Sequence, residues 1–215
     1  LGFALAGVTR LPTGFSAEAS LEVRRSVFYA HVARADDEAA ARQVIAEARR
    51  RRPQARHHCS AFVVSVADAN PVERSSDDGE PAGTAGAPIL AAVQAAALID
   101  AVVVVSRIFG GVKLGTGGLA RAYGQAAAQV IAGTPRVERV IRTVWSITVD
   151  HAVAGRLLGD LAARGAQVDP EYGAEVRLTV SCDDDVWLRT HVAEASAGRA
   201  HLVPIGTRQI ERPLG

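Results

Sequence analysis

Apolar side chains recur along this chain at two periods, and the switches between them mark its elements. Residues 21–23 and 27–32 are apolar runs flanking the polar turn 24–26, the pattern of a β-hairpin. Asp36 or Asp37 stands where a helix N-cap belongs, and that helix ends before Pro53 in the basic run 49–52. Cations at a helix C-terminus oppose its negative dipole end. The run therefore reads first as a helix terminus and second as a nucleic-acid patch. Residues 61–66 predict a strand. The polar stretch 68–86 predicts loop, and a helix starts at Pro88 and runs to about residue 98. The valine-rich run 101–106 predicts a strand buried on both faces. A glycine-rich loop follows and opens a helix from about residue 118 to 132, ended by the turn at 133–135.

The tail changes character. Trp145, Ile147 and Val149 alternate as in a strand, and Val153, Leu157 and Leu161 form a helical stripe. Val176, Leu178, Val180 and Cys182 alternate against polar neighbours. Residues 183–185 are acidic and suit the cap of a helix carrying Leu188, Val192 and Ala195, and residues 202–210 close as a strand. With a short strand near 167–172, the order is β-α-β-β-α-β, the ferredoxin-like split βαβ pattern. The expected fold is α+β in two α/β sandwich domains, residues 1–138 and 139–215, with the boundary near Glu138.

The 215 residues are 48% hydrophobic and 22% charged, which predicts a globular chain with a real core. A net charge of +1 does not suggest a general nucleic-acid coat and leaves room for a local basic patch; no DNA partner is expected. Cys59 and Cys182 stand far apart outside any CxxC pattern and read as buried reduced thiols of a cytoplasmic protein. The opening LGFALAGV is too short and lacks the basic start of a signal peptide. No apolar run reaches the ~18 residues of a membrane helix, so no membrane is expected. The chain holds no Met, which suggests that the start residue is missing.

Lysine occurs once, at 113, and the other 23 of the 24 basic side chains are arginine. Lys113 lies in GGVKLGTGGLARAYG, where Gly110, Gly111, Gly115, Gly117 and Gly118 permit tight turns and close approach to a ligand. The loop follows a strand and opens a helix, so N–H groups and the helix dipole favour an anion there. A compact ammonium suits a phosphate as a point charge. Arg107, Lys113 and Arg121 are the candidate phosphate contacts. The loop does not match a Walker A pattern. Gly115, Gly117 and Ala120 fit GxGxxG/A, but the preceding strand ends too early for a dinucleotide turn. No activated nucleophile is identified in it.

A second unusual stretch, RSSDDGEPAGTAGAP, places Asp77, Asp78, Glu80 and Thr84 together. It reads first as a turn whose carboxylates support the next helix N-terminus, and second as a weak Mg²⁺ candidate. Arg74 and Arg107 are the side chains expected to neutralise it. In HHC, strand alternation lets only His57 and Cys59 converge on one face, toward a first-domain cleft. No zinc set and no complete Cys–His nucleophile can be assembled there. No metal and no cofactor is expected. His151, His191 and His201 are scattered.

The segments HHCSAFVV, SSDDGEPAGTAGAPIL and VVVVSRIFGGVKLGTGGLARAYG closely resemble, in order and spacing, the signature of the YigZ/IMPACT family. That family's pattern has a His-Asn-Cys-type segment, then SDDGEPSGTAG, then RYFGGIKLGTGGLVRAY. The likeness covers about residues 25–131. Here His58 replaces Asn, Ala82 replaces Ser and Ile108 replaces Tyr, and the last change removes a possible stacking ring. The resemblance implies a first domain similar to the ribosomal-protein domain-2-like βαβ fold, as in domain four of elongation factor G. It also implies a ferredoxin-like tail similar to domain five. Eukaryotic relatives act in translational control by binding the activator of a starvation-sensing kinase and are not known as enzymes. The expected function is thus a non-catalytic factor binding RNA or the ribosome, with a protein partner in translational control as a further expectation. The alternatives are a Mg²⁺-dependent phosphate-handling hydrolase or transferase and a protein-interaction module built on the tail.

Overall fold

The structure, a computed structural model, describes residues 8–214. Nearly all of the apolar opening LGFALAGV lies outside the described residues. Among the described residues the chain gathers into two compact units, one of residues 8–138 with 212–214, the other of residues 139–211.

The first unit is built on a five-stranded sheet. Strands β1 (Ser16–Val23) and β2 (Ser26–Arg34) form the expected hairpin, and its two turn residues, Arg24 and Arg25, both take positive φ (48° and 66°). Positive φ at both central positions is the primed turn whose twist matches the strands it joins. Helix α1 (Glu38–Arg51) is capped by Asp37, which accepts the Ala40 N–H at 2.7 Å, and ends in Arg49, Arg50 and Arg51 as the pattern predicts. Strand β3 (His57–Val66) begins four residues earlier than the apolar run suggested, so His57, His58 and Cys59 belong to it. Strand β4 (Ala69–Ser76) lies in the stretch expected to be loop. It is an edge strand, largely exposed and carrying Pro71, and an edge strand needs neither a buried face nor every ladder N–H. Helix α2 (Gly86–Ala95), strand β5 (Ala101–Ile108) and helix α3 (Gly115–Ala132) complete the unit.

The sheet order is β1-β2-β5-β3-β4, and every neighbouring pair is antiparallel. Central β5 is apolar throughout because helices cover both its faces. Val103 and Val105 join Phe28, Cys59, Ile89 and Tyr123 on the α2/α3 side, while Val102 and Val104 join Phe62, Ala41 and Ala48 on the α1 side.

Among the polar side chains buried on the α1 side, His31 stands apart for having no partner. His31 is 6% exposed, and both of its ring nitrogens are buried without a hydrogen-bond partner. Burial pushes its pKa below the ordinary 6.5, helped by Arg51 and Arg52 and opposed by Glu18. The unfolded chain therefore takes up a proton near 6.5 that the folded chain refuses. Stability is full above that pH and declines as pH falls below it. His31→Leu, an apolar replacement of similar size, should raise stability by about 1–2 kcal/mol at pH 7. It should also narrow the difference in urea midpoint between pH 7.5 and 5.5; an unchanged difference would mean that His31 is not its source.

The second unit contains most of β6 (Val137–Val149), α4 (His151–Ala163), β7 (Gln167–Tyr172), β8 (Val176–Ser181), α5 (Asp185–Ala195) and most of β9 (His201–Pro213). Its sheet order, β7-β8-β6-β9, is that of the ferredoxin-like fold expected from the element order. Asp150 and Asp184 cap the two helices, and Trp145, Ile147, Leu157, Leu161, Leu178 and Leu188 fill the core. Among the described residues, no helix is long and apolar enough to cross a membrane.

Candidate functional site

The acidic loop between β4 and α2 folds around its own carboxylates. Asp77 accepts N–H groups from Gly83, Ala85 and Gly86 at 2.8–2.9 Å. It thereby supplies the cap that α2, preceded by Ala85, lacks. Burial alone would raise this carboxyl, and the three N–H bonds more than offset that, leaving it below the usual carboxylate range. Gly86 permits the arrangement, because a Cβ there would stand 2.8 Å from the backbone of Ser76. Thr84 closes the turn by donating to the Pro81 carbonyl at 2.6 Å.

The start of β3 clamps the same loop. Asp78 accepts the His58 N–H at 2.6 Å and Arg49 at 2.5 Å. His57 Nδ1 meets the Asp78 carbonyl at 2.8 Å, and the Cys59 thiol donates to the Asp77 carbonyl at 3.0 Å. His57 and Cys59 do share a side, as strand alternation predicts, but they face loop backbone and not an open cleft. Burial pushes the Cys59 thiol up to about 12, so it carries no thiolate near neutral pH.

Glu80 turns inward. It pairs with Arg107 at 2.7 Å and accepts the Tyr123 hydroxyl at 2.8 Å, with the Glu80 and Arg107 side chains only 4% and 8% exposed. The Arg107 guanidinium lies between the rings of Phe28 and Phe109, 5.6 and 5.5 Å from their centroids. Ser26 Oγ receives Arg107 at 3.4 Å and the Gly110 N–H at 3.2 Å. One buried cluster therefore ties the acidic loop to the glycine loop.

This geometry corrects three expectations. Arg107 is a buried structural cation and is not presented to a phosphate. Asp77, Asp78 and Glu80 do not converge, since each is engaged with a different partner set; among the described residues no three His, Cys, Asp or Glu side chains are grouped to hold a metal. Arg74 does not neutralise the acidic loop; Arg49 and Arg107 do.

The glycine loop has a tethered side and an open side. A Cβ at Gly110 would stand 2.0 Å from the carbonyl carbon of Arg25, so the loop lies directly on the β1–β2 turn. Gly111 and Gly115 take φ of +84° and +72°. Facing solvent are Lys113, Arg121, Gly111, Gly115, Gly117 and the turn residues Arg24 and Arg25, with Gly110 and Gly118 half-buried. No side chain caps α3, which begins at Gly115 and not near Gly118. Arg121 Nη1 lies 3.6 Å from where a Gly117 Cβ would be, over the first turn of that helix. Phe109, in the stretch between β5 and α3, is 52% exposed.

A family model described as the Impact N-terminal domain matches residues 24–131, about half of the chain. The chain belongs to the IMPACT family. The IMPACT family member YvyE of Bacillus subtilis strain 168 is 35% identical over 144 residues, 67% of this chain and 65% of YvyE, so the match spans just under two thirds of that relative. YigZ of Escherichia coli K12, also an IMPACT family member, is 36% identical over 163 residues, 74% of this chain and 79% of its own. A crystal structure of a hypothetical protein is similar at TM-score 0.58 and 30% identity, covering 91% of this chain and 96% of that one. The region matched by the IMPACT model contains both loops and the cluster joining them. Ser26, Arg49, Phe109 and Tyr123 belong to this site without being singled out by residue in the sequence, although Phe109 and Tyr123 lie within the glycine-loop motif and Arg49 within the basic run 49–52. Tyr123 left a further trace, as the one hydroxyl on the buried α3 stripe of Leu119, Ala126 and Ala127.

Proposed function

We propose that the first unit binds RNA, free or on the ribosome, and that the chain is a non-catalytic cytoplasmic factor acting in translation. The observation that carries this is the uncapped α3 N-terminus, exposed with Lys113 just before it, Arg121 over its first turn and Phe109 exposed on the loop leading to it. A helix N-terminus and two cations for phosphate, with one ring for a base, are exposed along a loop held in place from its buried side. Free N–H groups at a helix start and a mobile ammonium suit phosphate oxygens. An exposed phenylalanine suits an unstacked base. Arg24 and Arg25, on the turn that supports Gly110, extend the basic surface. The resemblance of IMPACT domains to translation-factor folds supports the same reading. A hydrolase would need the acidic carboxylates free to act, and these are engaged within the fold.

Binding of a fluorescent single-stranded RNA, titrated at several salt concentrations, tests the proposal. Affinity should fall with salt, and Lys113→Ala should weaken it several-fold and lower the log–log slope by about 0.7. Phe109→Ala should cost about 1–3 kcal/mol while leaving the slope unchanged. Affinity independent of salt, or equal in wild type and both variants, would overturn it.

A further inference from the structure

The α1 face of the first sheet holds a second basic site, lined by no residue of the glycine loop. It is a cleft of about 320 Å³ between α1, β3 and β4. That volume is at the lower end of small-molecule sites, roughly 300–1,000 Å³. The sequence leaves this gap because the helix presents small Ala41 and Ala48 to the sheet, and Ser60 stands between His58 and Phe62 on the strand face opposite. Arg42, Ile45 and Arg49 fall at spacings of three and four, so one helical face brings two guanidiniums into the cleft around an apolar contact. Arg74 enters from β4.

No carboxylate lines the cleft. Arg49 is held in place by Asp78, and Arg42, mostly exposed, reaches Glu38 at 3.2 Å. Arg74 donates to the Glu73 carbonyl at 3.1 Å, an uncharged acceptor. Arg74 thus supplies the uncompensated positive charge, with the guanidiniums of Arg42 and Arg49 beside it paired to carboxylates outside the cleft lining. The hydroxyls of Ser60 and Ser76 add donors, and Phe62 and Ile45 supply an apolar floor. Planar guanidiniums with hydroxyls match phosphate oxygens, while the floor matches a flat ring.

We propose that this cleft binds a nucleoside monophosphate, its phosphate on Arg42, Arg49 and Arg74 and its base on Phe62 and Ile45. The nucleotide is either free or the 5′-terminal residue of an RNA. This site stands independently of the RNA reading of the glycine loop.

His58 offers a built-in reporter. Its Nδ1 lies 2.8 Å from Ser106 Oγ, and burial followed by the Arg49 charge holds its pKa below the ordinary value. A bound phosphate opposes the Arg49 effect and should move its ring resonances. The test is calorimetry and NMR of the full chain with adenosine, guanosine, cytidine and uridine 5′-monophosphates, inorganic phosphate, and a trinucleotide with and without a 5′-phosphate. Arg74→Ala is the test variant because Arg74, unlike Arg49, does not hold the acidic loop. Saturable binding of a mononucleotide that shifts His58, weakens at least tenfold in Arg74→Ala and is unchanged in Lys113→Ala is the expected result. Tighter binding of the 5′-phosphorylated trinucleotide would assign the site to RNA ends, and tighter binding of the mononucleotide to a free metabolite. No saturable binding at millimolar concentration overturns the proposal. So does equal affinity for inorganic phosphate, or binding untouched by Arg74→Ala.

Discussion

Arg107→Ala is expected to destabilise the first unit by about 3–5 kcal/mol, the loss that follows when one partner of a buried ion pair is removed. With side chains only 4% and 8% exposed, the pair is shielded from bulk water. The Glu80 carboxylate would keep the Tyr123 hydroxyl as its remaining charge-stabilising contact, and burial holds that phenol neutral, with its pKa far above the ordinary value. The Ser26 hydroxyl would also lose one of its two donors. The double variant Arg107→Met with Glu80→Leu should recover much of the loss, since it removes both charges and keeps the volume filled. Urea denaturation followed by circular dichroism checks both. A loss below about 1 kcal/mol for Arg107→Ala would show that the pair does not hold the loops together.

Gly110→Ala should cost about 3 kcal/mol or more, at the upper end of overpacking effects. Its new methyl would stand 2.0 Å from the Arg25 carbonyl carbon and 2.1 Å from its oxygen. Both are backbone atoms of a primed turn, so no side chain can swing aside. Moving the loop would instead break the Gly110–Ser26 bond and disturb Arg107. Two neighbours serve as controls. Gly111→Ala meets open space but must hold φ near +84°, a cost of about 1–2 kcal/mol. Gly117→Ala meets only the end of Arg121 and should be nearly neutral. The order Gly110, Gly111, Gly117 in thermal midpoint loss is the result to look for. Equal losses at all three would mean that the tether to the β1–β2 turn does not matter.

The hydrophobic pattern carried most of the fold, because most elements have one buried face. The 101–106 run, the Val153–Leu157–Leu161 stripe and the Asp37 cap each correspond to an observed element. β4 was hidden because an edge strand with little buried surface leaves no period to read. α3 starts earlier than expected because glycine masks a helix start that has no capping side chain. The site was legible as two motifs but not in its roles. The sequence marks Arg107 as a cation and Asp77 as a carboxylate, whereas only the register of β5 against β3 and the closure of the acidic loop bury one and cap a helix with the other. The cleft beneath α1 was illegible for a related reason. Arg42 and Arg49 share a helix face, but β4, which supplies Arg74, falls in a polar stretch that predicts loop.

The central claim is that the open side of the glycine loop meets RNA phosphate. Co-sedimentation with purified ribosomes at low and moderate salt, comparing wild type with Lys113→Ala and with Lys113→Ala/Arg121→Ala, tests it most directly. Both substitutions lie on exposed side chains, so the variants should match wild type in thermal midpoint. Wild-type binding should weaken with salt, the single variant should bind less, and the double variant should not bind. Full binding by a folded double variant, or no wild-type binding at low salt, would contradict it.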